Sequence, residues 1–119
     1  RMHSTEITPR LAHAEFEIPM WIWTSKEYRR KHPDIWQEVK GARNKAYMTD
    51  ATPYLLMYLA GIQTPLYREQ LNVLSGKYNE KRPRILKKQV DYDVLMAKEK
   101  KEKLKAEKKE VVKTKSKKR

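Results

Sequence analysis

The feature that most constrains this chain is the apolar string Ala-Glu-Phe-Glu-Ile-Pro-Met-Trp-Ile-Trp-Thr at residues 14–24. Read as an extended strand, it sets Phe16, Ile18, Met20 and Ile22 on one side and Glu15, Glu17, Pro19, Trp21 and Trp23 on the other. Trp21 and Trp23 also demand burial, so the second half needs cover on both faces, the habit of a strand inside an α/β sheet. Pro19 cannot donate a ladder hydrogen bond and favours an edge or bulged position. Almost nothing else in the sequence supplies neighbouring strands, so the chain is expected to be a piece of a larger α/β domain.

Composition agrees with that expectation. The apolar content of 39% and a mean hydropathy of −0.97 describe a poor core-former, and small cores are marginal without help. There are no cysteines, which excludes disulfides and Cys-based zinc sites. The longest mostly apolar run is far short of the roughly 20 residues of a membrane helix. The net charge of +13 is unevenly placed: residues 94–119 hold 12 basic and 4 acidic side chains, against 16 and 11 over residues 1–93. Those last residues contain no aromatic, Gly or Pro, and their few apolar side chains are sparse. They read as a Lys-rich tail, helical or disordered, able to touch phosphates or anionic head groups.

The remaining elements follow from caps and breakers. Residues 1–13 read as an irregular loop around Pro9. Thr24 and Ser25 cap a short turn through Tyr28, and Pro33 opens a helix over residues 33–43 whose packed side chains are Ile35, Trp36 and Val39. A second helix has N-cap oxygens at Thr49 and Asp50, Pro53 in its first turn, an almost wholly apolar body over residues 54–59, and Gly61 at the left-handed exit. Such a helix is expected to be buried on most sides. Residues 71–74 read as a short edge strand or turn, and residues 89–92 as the last packed segment.

The chain has no nucleophile elbow, phosphate-binding Gly loop, Walker motif or HExxH pair. The candidate reactive groups are His3, His13 and His32 with Glu6, Glu15, Glu17, Asp34 and Asp50. A histidine in a loop that leads into a core strand is where α/β enzymes place metal- or phosphate-contacting groups. His32, beside Pro33, is more simply a capping residue, and Asp50 more simply an N-cap than a general base.

A resemblance gives these positions a context. The string Phe-Glu-Ile-Pro-Met-Trp-Ile-Trp-Thr-Ser at residues 16–25 is followed by Tyr28, His32-Pro33, Asn44, Met48-Thr49-Asp50, Pro53, Leu55-Leu56 and Leu59-Ala60-Gly61-Ile62. Together they resemble the C-terminal part of the phosphoethanolamine transferases that modify lipid A, in the sulfatase branch of the alkaline phosphatase superfamily. Asp50, Pro53, Leu55, Leu56 and residues 59–62 resemble a late helix found across sulfatases. The Glu-Ile-Pro-Met-Trp-Ile-Trp-Thr-Ser string, with Asn72-x-Leu74-Ser75 and Tyr78-Asn79-x-x-Arg82-x-Arg84, favours the transferase branch. The resemblance covers roughly residues 1–93 and leaves the tail at residues 94–119 unexplained.

What the resemblance implies is the C-terminal portion of an alkaline-phosphatase-like three-layer α/β domain. Its enzymes use a zinc-bound threonine to take phosphoethanolamine from phosphatidylethanolamine and pass it to lipid A or a core sugar. They work in the periplasm, anchored in the bacterial inner membrane by N-terminal helices. The threonine, its glutamate and the Asp-His-Gly-Glu metal motif of the family are not among these residues, so this chain alone is expected to be inactive. The family's later histidine, which contacts the substrate phosphate or a second zinc, matches His3, with His13 as the alternative. Two other readings stand beside this one: another sulfatase-type hydrolase, and an independent basic module binding RNA or a membrane surface through Arg82, Arg84, Lys87, Lys88 and the tail. The absence of any RNP, KH or helix-turn-helix signature leaves no specific nucleic-acid partner to expect.

Overall fold

Five α-helices, two 3₁₀ turns and one two-stranded hairpin make up the regular structure of residues 6–118, the residues described by a computed structural model. The expected three-layer α/β architecture is therefore incorrect. A sheet requires partners for each strand's N–H and C=O groups. Among the described residues the one ladder pairs Ile85 with Asp91 and Leu86 with Val90. The apolar string does not join it: residues 18–24 belong to no helix or strand and make no backbone hydrogen bond among the described residues. Local capping and helical spacing decide the rest.

Met20–Arg82 form one compact unit. Helix α2 (Lys26–Lys31) starts where Ser25 Oγ accepts a hydrogen bond from the Tyr28 amide at 3.0 Å. Helix α3 (Pro33–Gly41) opens with Pro33, whose missing N–H is harmless in the first turn. A 3₁₀ turn over Thr49–Ala51 leads into α4 (Thr52–Leu59), and Gly61 leaves it with φ +68°, the left-handed conformation that glycine tolerates best. The caps expected of Thr49 and Asp50 are not made. Both residues lie in the 3₁₀ turn, and Asp50 instead takes a two-pronged ion pair from Arg82, at 2.6 and 2.7 Å.

The core of this unit is Leu55, Val73 and Leu74, against which Ile22, Ile35, Val39, Tyr58 and Tyr78 pack. Helix α4 is less buried than its composition predicts, since Leu55 is 2% exposed but its neighbour Leu56 is 58% exposed. Residues 72–74 form a turn rather than a strand. Asn72 is wholly buried there, accepting from the Leu74 amide at 3.0 Å and donating to the Tyr67 hydroxyl at 2.9 Å. Tyrosine hydroxyls complete the unit: Tyr28 donates to the Leu59 carbonyl, Tyr58 to Glu38 and Tyr78 to the Ala46 carbonyl, at 2.6–2.7 Å.

The described residues on either side of Met20–Arg82 form the second unit. Its first helix, α1 (Pro9–Glu15), lies where a loop was expected. Thr8 caps it by accepting from the Leu11 amide at 3.2 Å, and Pro9 fills the first turn. Ala14 and Glu15 are thus helical rather than the start of a strand. Strands β1 (Ile85–Leu86) and β2 (Val90–Asp91) form the hairpin, and its turn holds both Lys87 and Lys88 at positive φ, 47° and 57°. Asp91 then caps α5 (Tyr92–Lys117), a 26-residue helix, by accepting from the amides of Asp93 and Val94. Ile7, Ala12 and Leu86 are buried together, with Phe16, Val90, Tyr92, Leu95 and Met96 packed around them. No helix among the described residues is long and apolar enough to cross a membrane.

Candidate functional site

Of the two histidines expected at a phosphate or second-metal contact, His3 lies outside the described residues. His13 sits in the last turn of α1, and its ring is held at both nitrogens. Nδ1 meets Glu17 Oε1 at 2.6 Å, four residues on, and Nε2 meets Glu99 Oε2 of α5 at 3.0 Å. Two further groups finish the cluster. The Tyr92 hydroxyl donates to Glu17, and Lys103 Nζ pairs with Glu99 at 2.8 Å.

The charges of this cluster support one another. Hydrogen bonds to Glu99 and then to Glu17 raise the His13 pKa above its ordinary value, favouring an imidazolium that donates from both nitrogens. The Tyr92 hydroxyl, followed by His13, holds Glu17 below the usual carboxylate range. Lys103 and His13 do the same to Glu99. Burial, helped by the bond to Glu17, pushes the Tyr92 hydroxyl up to about 12.

This arrangement fits a clamp between α1 and α5 and does not fit a zinc site. Both ring nitrogens are taken up by carboxylates and point apart, so the carboxylates lie at opposite edges of the ring rather than converging on an ion. No other group of three or more His, Cys, Asp or Glu side chains among the described residues is placed to hold a metal. The signal for half of the clamp was in the sequence, because His13 and Glu17 stand at the i, i+4 spacing of a helix turn. Glu99 and Tyr92 carry no such signal, since only the chain's return brings them to His13.

The other expected groups are dispersed. His32 ends α2 and stacks obliquely on Tyr28, with ring centroids 4.6 Å apart. Asp34 lies in the first turn of α3. Glu15 stands 3.7 Å from Lys87, and Arg84 makes a two-pronged pair with Asp93 at 2.5 and 3.0 Å.

The second candidate feature is the apolar string itself. Trp21 is 79% and Trp23 80% exposed, with Ile18 and Met20 about half exposed. Thr24 Oγ1 is buried yet has no hydrogen-bond partner among the described residues. Four large apolar side chains are thus exposed within six consecutive positions. No family model matches this chain, and no curated protein or solved structure matches it either.

Proposed function

We propose that these residues are the C-terminal portion of a phosphoethanolamine transferase. The enzyme moves phosphoethanolamine from phosphatidylethanolamine to lipid A or a core sugar on the periplasmic side of a bacterial inner membrane. The observation that carries this reading is the string at residues 16–25. Its order of residues resembles these transferases, and its tryptophans stand exposed with no backbone partner among the described residues. That is the condition of a segment whose cover comes from elsewhere. The Asp50–Arg82 pair supports the reading as well, because it joins two stretches that carry the resemblance, residues 48–62 and 78–84.

The part these residues play is then mainly structural, with His3 as the one group expected to contact the substrate phosphate or a second zinc. The nucleophile, the principal metal ligands and any zinc they hold belong to protein outside these 119 residues. The chain supplies an apolar segment for that protein to cover.

The test extends the reading frame upstream of Arg1 and expresses the extended protein in a bacterium, with lipid A and core analysed by mass spectrometry. Phosphoethanolamine is expected on one of them, and the double variant Trp21→Asp, Trp23→Asp is expected to abolish it. In the 119-residue chain the same double variant is expected to leave stability unchanged within about 0.5 kcal/mol, as for exposed surface positions. An upstream frame without an Asp-His-Gly-Glu motif, or lipids unmodified by the extended protein, would sink the reading.

A further inference from the structure

Helix α5 begins packed and ends bare. Leu95 and Met96 reach the core of their unit and Glu99 reaches His13, but every described residue beyond Glu99 is exposed. The bare part, residues 100–118, is a rod of roughly 28 Å at 1.5 Å per residue. Most helical stability in proteins comes from packing, and beyond Glu99 tertiary packing adds nothing while close-spaced lysines repel one another.

The charges on the rod are not evenly distributed around it. Lys101, Leu104, Lys108, Val111 and Lys115 recur at alternating steps of three and four residues, which aligns them in one stripe of alternating lysine and apolar side chains. At about 100° per residue, Glu99, Glu102, Glu107 and Glu110 all lie about 80° or more from the centre of that stripe. The stripe is a cationic face without acids. Leu104 and Val111 within it are 46% and 53% exposed.

The geometry points to this face of α5 as a docking surface for an anionic lipid bilayer. A straight rod lies flat on a plane, where the lysine ammonium groups reach the anionic head groups and their stems lie beside Leu104 and Val111. Charge complementarity favours the contact, and the anionic surface relieves the repulsion that the free helix bears. The apolar members of the stripe favour a bilayer over nucleic acid, which gains nothing from Leu104 and Val111, and residues 94–119 contain no aromatic side chain on which bases could stack. The inference stands on the charge distribution of α5 and is independent of the transferase reading.

The test is flotation of the 119-residue chain with vesicles, which separates vesicle-bound protein from aggregate. Vesicles of phosphatidylcholine containing about 30 mol % phosphatidylglycerol are expected to float the chain, and vesicles of phosphatidylcholine alone are not. About 0.5 M salt is expected to release it. The stripe variant Lys101→Glu, Lys108→Glu, Lys115→Glu is expected to weaken binding about a hundredfold or more. The variant Lys109→Glu, Lys113→Glu, Lys117→Glu changes the charge equally on the opposite side and is expected to weaken it less than about tenfold. Circular dichroism verifies that both variants keep the helix. Equal losses in the two variants, equal flotation with uncharged vesicles, or tighter binding to duplex DNA than to anionic vesicles at the same salt would each overturn the assignment.

Discussion

The two units of this chain are held together by different chemistry. Each has a small apolar core, but Met20–Arg82 add to theirs a set of tyrosine hydroxyls and one buried asparagine, whereas the flanking unit adds to its Ile7, Ala12 and Leu86 core a set of exposed charges: the His13 clamp, Arg84 with Asp93, and Lys87 with Glu15. Buried apolar contacts respond to lost volume and hardly to pH or salt. Exposed ion pairs are screened and contribute modestly, but they respond to both. The difference teaches that neighbouring stretches of one sequence answer to different perturbations, so the same measurement on each unit separates them.

The largest expected effect is in the core of Met20–Arg82. Leu55 is almost fully buried between Val73 and Leu74, and Leu55→Ala is expected to cost that unit about 3 kcal/mol, combining lost transfer energy with a cavity. Hydrogen exchange read amide by amide is the measurement. Faster exchange across α3 and α4 with α1 and α5 unchanged sharpens the contrast, and equal acceleration in both units breaks it.

How much of this was legible in the sequence depended on whether the signal was local. Pro33 and the Ile35, Trp36, Val39 spacing marked α3, and Gly61 marked the exit from α4, because caps and breakers act over a few residues. The string at residues 14–24 misled, since its alternation and its tryptophans describe a buried strand, while the one ladder among the described residues is the short β1–β2 hairpin, which the string does not join. Asp50 misled differently. A carboxylate at a helix start reads as a cap, and only the chain's return places the Arg82 guanidinium within 2.7 Å of it. Of the expected site, His13 was visible as a residue, but Glu17 reads as part of a strand rather than as its partner, and Glu99 is 86 positions away, beyond the reach of any periodicity.

A gain is expected in the flanking unit. Lys87 and Lys88 both turn the β1–β2 corner with positive φ, a conformation that costs a side-chain-bearing residue roughly 1 kcal/mol. Lys87 also pairs with Glu15 and lies over the Phe16 ring, so Lys88 is the cleaner position. Lys88→Gly is expected to stabilise the hairpin by about 0.5 kcal/mol, because the relief of strain exceeds the added freedom of the unfolded chain. Slower exchange at the Gln89 and Tyr92 amides is the outcome to look for. Faster exchange there would show that the two lysines hold the turn in some other way.

The smallest effect is also the most diagnostic of the contrast, because it depends on pH alone. The pKa of His13 is raised on folding, so its contribution is fully present below the ordinary histidine value of 6.5 and fades as pH rises through the higher folded value. Glu17 and Glu99 are lowered, so their contribution is present above the ordinary 4.5 and is lost as pH falls through their folded values. The clamp therefore works best between these limits. His13→Asn, which keeps polarity but loses the charge, is expected to loosen α1 most between about pH 4.5 and 6.5, and progressively less on the alkaline side. Amide exchange of α1 in wild type and variant, followed across that range, is the measurement, with α3 and α4 as the internal reference. A difference between the two proteins that stays constant with pH would mean that His13 fills space rather than carrying charge, and the contact of α1 with α5 would then rest on packing alone.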